Sequence, residues 1–64
     1  MVLYRSSRNG GEPRKIGPCV SVRDAAILAA ADAGRRLRRA HNLATGTLAA
    51  WDVPGGDAYL LERE

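Results

Sequence analysis

One alanine-rich stretch, Ala25 to Ala33, stands between two glycine-pair turns, Gly10-Gly11 and Gly55-Gly56. That spacing leaves room for one helix with a hairpin on either side. Ser21-Val22-Arg23-Asp24 opens the helix as a capping box. The Ser21 hydroxyl accepts from a free backbone N–H, and Asp24 reaches back to another, over a shorter span than the usual Glu. The alanines that follow are the best helix formers. Asp32 and Arg36 sit at i, i+4 spacing and make a weakly favourable pair. The predicted helix runs from Ser21 to near His41-Asn42. Its apolar stripe passes through Ala26, Ala30, Ala33, Leu37 and Ala40, residues small enough to let it lie close to whatever it covers.

The first hairpin pairs a strand beginning Val2-Leu3-Tyr4 with a return through Arg14-Lys15-Ile16. Asn9-Gly10-Gly11 is the turn, since these residues accept positive φ at low cost. Pro13 and Pro18 each lack a backbone donor, so the return strand is short or lies at a sheet edge.

The second hairpin runs from Thr47 to Val53 and back from Ala58 to Arg63, around Pro54-Gly55-Gly56-Asp57. A turn centred on Gly55-Gly56 sets Val53 opposite Ala58 and Trp51 opposite Leu60. One face then carries Ala49, Trp51, Val53, Ala58 and Leu60, which pack on the helix. The other carries Leu48, Ala50, Asp52, Tyr59, Leu61 and Arg63. Uncovered, this second face is a contact surface for a target or for a second copy of the chain.

The expected architecture is therefore α+β: one domain over residues 1–64, in ββαββ order, with a single helix across one face of an antiparallel sheet. A domain this short buries only about 60% of its unfolded surface. Phe is absent and Trp51, Tyr4 and Tyr59 are the only aromatics. A core so thin is often completed by a partner.

Charge is unevenly distributed. Residues 1–23 carry a net +4, residues 24–40 a net +2 and residues 41–64 a net −3. Arg35-Arg36-Leu37-Arg38-Arg39 is the densest cluster, four cations around one apolar residue in the predicted last turns of the helix. There they complement the helix dipole and face solvent. Arg5, Arg14 and Lys15 add to the cluster if the first hairpin lies on the same side, as do Arg8 and Arg23. Arginine outnumbers lysine nine to one. Its planar fork suits phosphate or carboxylate, although a GC-rich genome produces the same bias.

Catalytic chemistry finds no constellation in the sequence. Cys19 and His41 are single residues of their kinds, which excludes an intramolecular disulfide and leaves a metal site short of ligands. No third group is signalled that would orient a Cys–His pair. The glycine pairs lack the strand-to-helix setting of a phosphate loop. No cofactor is implied. The expectation is a non-catalytic binding protein, with candidate contacts at Arg35, Arg36, Arg38, Arg39, Arg5, Arg14, Lys15, Tyr59 and Leu61. Nucleic acid is the alternative partner, met by a dimeric regulator or antitoxin. Against it stand the acidic last third and the lack of a helix-turn-helix, zinc knuckle or aromatic stacking platform.

The Ser-capped alanine-rich helix (Ser21 to Ala40), the Gly46-Thr47-Leu48 lead-in to a strand and the closing Tyr59-Leu60-Leu61 resemble the layout of small phage-encoded inhibitors of bacterial defence, in particular some type I anti-CRISPR proteins. The resemblance implies a binder that occludes a surface on a larger protein or nucleoprotein complex. No stretch is long and apolar enough to cross a membrane, and Met1-Val2-Leu3-Tyr4-Arg5 opens no signal-peptide run. Together with the lone cysteine, this predicts a cytoplasmic location, the host cytoplasm if the chain is phage-encoded.

Overall fold

The computed structural model describes residues 1–63. Its elements are β1 (Val2–Ser6), β2 (Arg14–Pro18), α1 (Val22–Ala33), β3 (Arg38–Arg39), β4 (Thr47–Asp52) and β5 (Ala58–Glu62). The five strands form one antiparallel sheet in the order β2-β1-β5-β4-β3, with the single helix on one face. The fold is α+β, with one short strand added to the expected order. β2 lies at a sheet edge, where Pro18 within it and Pro13 just before it cost no ladder bond to a second neighbour. A bulge between Leu3 and Tyr4 skips Ile16 on that edge.

The helix begins as the sequence indicates. The Asp24 N–H donates to Ser21 Oγ at 3.0 Å. The Asp24 carboxylate accepts from Val20 N–H at 3.1 Å, one residue before the cap.

Its end differs from the expectation. The helix stops at Ala33, because Gly34 takes the left-handed conformation at φ 71°. Gly34 N–H donates to Ala31 O at 3.3 Å and Arg35 N–H to Ala30 O at 3.1 Å. These are the paired bonds of a Schellman motif, which satisfy the last carbonyls and turn the chain out of the helix. Arg35, Arg36, Arg38 and Arg39 are therefore not helical. Arg38 and Arg39 form β3, an edge strand on β4, and Ala40 N–H extends the ladder to Ala50 O at 2.8 Å.

The second correction is one of register. Val53 N–H donates to Asp57 O at 2.9 Å, so Pro54-Gly55-Gly56 is a three-residue loop. Trp51 then stands opposite Tyr59 and Ala49 opposite Leu61. A one-residue slip exchanges the two faces of a strand. The expected face was right for Ala49 and Trp51 on β4 and reversed on β5. Tyr59 and Leu61 are fully buried rather than exposed. The exposed contact face built on Leu48, Tyr59 and Leu61 does not exist, because two of its three apolar residues lie in the core.

The core lies between α1 and the sheet. Leu3, Ala49, Trp51, Tyr59 and Leu61 line the sheet side, beneath Ala25 and Ala29 of the helix, with Cys19 beside them. The buried pair is thus Ala25 and Ala29, about 100° around the helix from the expected Ala26 and Ala30. Two alanines set against Trp51 and Tyr59 bring small residues over large ones, as dense packing requires. On the other face Val2 and Ala50 are buried, and Tyr4 and Leu60 are half-buried beside them. Among the described residues no helix is long and apolar enough to cross a membrane.

Candidate protein-binding site

The basic residues divide into two groups with different surroundings. The first belongs to a polar clasp at one end of the helix–sheet interface. Arg5, on β1, donates from Nε and Nη2 to Asp57 Oδ2 at 3.2 and 3.0 Å. Its Nη1 donates to the Tyr59 hydroxyl at 2.9 Å and lies 3.5 Å from Asp32 Oδ2. The guanidinium also stands 5.3 Å from the centre of the Tyr59 ring. Tyr59 Oη donates to Asp32 Oδ2 at 2.5 Å, and Arg14 Nη2 donates to the same oxygen at 3.0 Å. Arg8 N–H donates to Asp57 Oδ1 at 3.3 Å, which ties the two hairpin turns together.

This clasp sets its own ionisation. The Tyr59 hydrogen bond holds the Asp32 carboxyl below its usual range, with help from the Arg14 and Arg5 charges. The Arg5 hydrogen bond does the same for Asp57. Burial, then the Asp32 hydrogen bond, pushes the Tyr59 hydroxyl up. Arg5 is thereby committed to Asp57 and Tyr59, Arg14 pairs with Asp32 at the surface, and Tyr59 holds helix to sheet. Of the nine expected contact residues, these three are engaged internally and Leu61 is core.

The second group is Arg35, Arg36, Arg38 and Arg39. All four are exposed, and no ion pair among the described residues includes them. Their segment is fixed at both ends, by the Gly34 cap and by β3 pairing to β4. Leu37 tucks against the core between them. The register sets Arg38 opposite Asp52 and Arg39 opposite Trp51. The segment borders a cleft of about 650 Å³ lined by Arg35, Arg36, Leu37, Arg38, Asp52 and the Val53-Pro54 turn.

Lys15 does not join this cluster. β2 and β3 are the two edges of the sheet, four strand spacings or roughly 19 Å apart. Lys15 lies beside Tyr4 on the far edge, so the expectation that first-hairpin cations extend the arginine cluster fails on topology. Cys19 is buried, and burial pushes its thiol up, which keeps it protonated and unreactive. No group of three or more His, Cys, Asp or Glu among the described residues is placed to hold a metal ion.

Sequence reasoning missed the clasp and the cleft. Asp32 does not pair with Arg36 along a continuous helix; its partners come from β1, β2 and β5 instead. The signal for the cleft was Gly34 itself, placed directly before Arg35-Arg36. Compared with family models, curated proteins and solved structures, the chain finds no match.

Proposed function

We propose that this chain is a small non-catalytic binding protein that occludes a surface on a larger protein or nucleoprotein complex, presenting Arg35, Arg36, Arg38 and Arg39 to carboxylates. A type I CRISPR effector is the target class that the resemblance in layout implies.

One observation carries the reading. Of the chain's basic residues, these four lie together on a segment pinned at both ends, and none of them forms an ion pair among the described residues. Lone exposed arginines are ordinary. Four in five positions, on a backbone already ordered, reduce the entropy lost on association. Arg5 and Arg14 serve as the internal contrast, since the same side chain is neutralised where the fold needs it.

A nucleic-acid regulator is the competing reading, and the unpaired arginines suit phosphate as well. One feature favours protein. Trp51 is 4% exposed and is not free to stack on a base. The deciding experiment compares recovery of host complexes by the wild type and by an Arg36→Glu/Arg38→Glu chain, beside titration of a labelled duplex. Recovery that charge reversal abolishes, with weak duplex binding, supports the proposal. Equal recovery by both chains contradicts it.

A further inference from the structure

The basic segment has a neighbour that the proposed function does not use. An open groove of about 320 Å³ runs between α1 and the chain that follows it, lined by Arg23, Ala26, Ile27, Ala30, Arg36, Leu37 and Trp51. It shares Arg36 and Leu37 with the larger cleft, so the two are neighbours along the basic segment. Its floor is apolar: Ala26, Ala30 and Leu37 are half-buried, and Trp51 closes it from below. Ile27 stands on its wall with 61% of its surface exposed. That is a large apolar side chain in water, on a helix face whose next turn offers only Ala30 and Ala31. Arg23 and Arg36 are cations on its wall, and Arg35 and Arg38 continue that charge along the larger cleft.

We infer that this groove receives an acidic amphipathic segment of the partner, seating one bulky aliphatic side chain between Ile27 and Leu37 while flanking carboxylates meet Arg23, Arg36 and Arg38. The inference rests on the proposed function and names the partner's chemistry. Charge complementarity selects the occupant: an apolar floor excludes a bare polyanion, and a cationic wall excludes a purely apolar or basic helix. A segment with both features satisfies each wall, and a single anchored side chain surrounded by polar contacts is the usual arrangement of binding energy at such sites. Nucleic acid satisfies the arginines but leaves Ile27 and Leu37 without a partner.

Trp51 is the only tryptophan and forms part of the groove, so its emission reports occupancy. The full chain is titrated with a capped peptide in which a Leu-Leu pair is flanked on both sides by Glu-Asp. Three comparisons run beside it: the same peptide with Ala for Leu, a Lys-flanked Leu-Leu peptide, and a short duplex DNA. The expected result is a saturable shift with the acidic Leu peptide alone, weakened about tenfold or more by the Ala peptide, by Ile27→Asp and by Arg36→Glu. Ile27 is exposed, so its replacement leaves the fold intact; circular dichroism checks this. Absence of saturation, equal binding of the Ala peptide, or tighter binding of the duplex overturns the inference. The two levels separate cleanly. If Ile27→Asp still recovers the host complex while Arg36→Glu/Arg38→Glu does not, the groove is unused and the basic segment stands. If neither variant loses recovery, both fall.

Discussion

The Tyr59 hydroxyl donates to Asp32 Oδ2 at 2.5 Å, linking the buried face of β5 to the last turn of α1. An acid at that end of a helix opposes the helix dipole, and the last turn carries no basic residue to offset it. Asp32 is held there by partners from elsewhere, Tyr59, Arg5 and Arg14. Tyr59→Phe keeps the ring and removes the donor. It should cost about 1–2 kcal/mol, which for a domain of this size lowers the melting temperature by roughly 4–8 °C per kcal/mol. Unchanged thermal stability would show that the hydroxyl is dispensable.

Asp32 also predicts how stability depends on pH. Its carboxyl titrates lower in the folded chain than in the unfolded one, because Tyr59 and then the two arginines stabilise the anion. A depressed folded value contributes stability at neutral pH and loses it as pH falls from about 4, the unfolded value, through the folded one. Asp57 adds to the same window. Urea unfolding followed from pH 7 to 2 should show this loss. Asp32→Asn should be less stable than wild type at neutral pH and flatter below pH about 4. Parallel curves for the two proteins would remove Asp32 from the linkage.

The register of the second hairpin is tested by adjacent leucines. Leu61 is fully buried beneath the helix, whereas Leu60 is half-buried on the opposite face. Leu61→Ala should cost about 2–5 kcal/mol and Leu60→Ala distinctly less. The reverse order would restore the register in which Leu60 faces the helix. Trp51→Ala belongs with Leu61 and should cost about 3–5 kcal/mol, enough to unfold a domain this small. The buried indole should also emit at short wavelength.

Gly34 ends the helix, and its substitution separates two effects. No atom lies within 4 Å of a Cβ built at Gly34, so Gly34→Ala meets no steric block. The cost is that of the left-handed conformation alone, about 1–2 kcal/mol. Circular dichroism should show lost stability without added helix, because extending α1 past Gly34 would strip β3 from β4. A variant more helical and more stable than wild type would mean that Gly34 does not set the boundary.

Much of this fold is written locally. The Ser21 cap, the alanine run, both glycine turns and the edge position of the proline-flanked strand follow from side-chain chemistry within a few residues. The helix end was also local, but two signals disagreed. Leu37 and Ala40 continue the apolar spacing past Gly34 and point to a longer helix, whereas Gly34 stops it at Ala33. The β5 register turned on a single residue of loop length, because Pro54-Gly55-Gly56-Asp57 serves a two-residue or a three-residue turn equally well. Tyr59 and Leu61 were misplaced for that reason alone. The clasp was not legible at all. Its contacts span 18 to 54 residues, and only the folded sheet brings Arg5, Arg14, Asp32, Asp57 and Tyr59 together. Of the candidate contacts, the four clustered arginines kept their exposure although their helix did not extend to them.

The central claim is that Arg35, Arg36, Arg38 and Arg39 meet carboxylates of a protein rather than phosphates. Fluorescence anisotropy of a labelled DNA duplex, titrated with the chain at low and then moderate salt, tests it most directly. A regulator that neutralises several phosphates shows a log–log salt slope of roughly −0.9 per contact. The account predicts weak binding at low salt that vanishes at moderate salt, whatever the duplex sequence. Tight, sequence-selective binding that survives moderate salt and is lost in the Arg36→Glu/Arg38→Glu chain would contradict it.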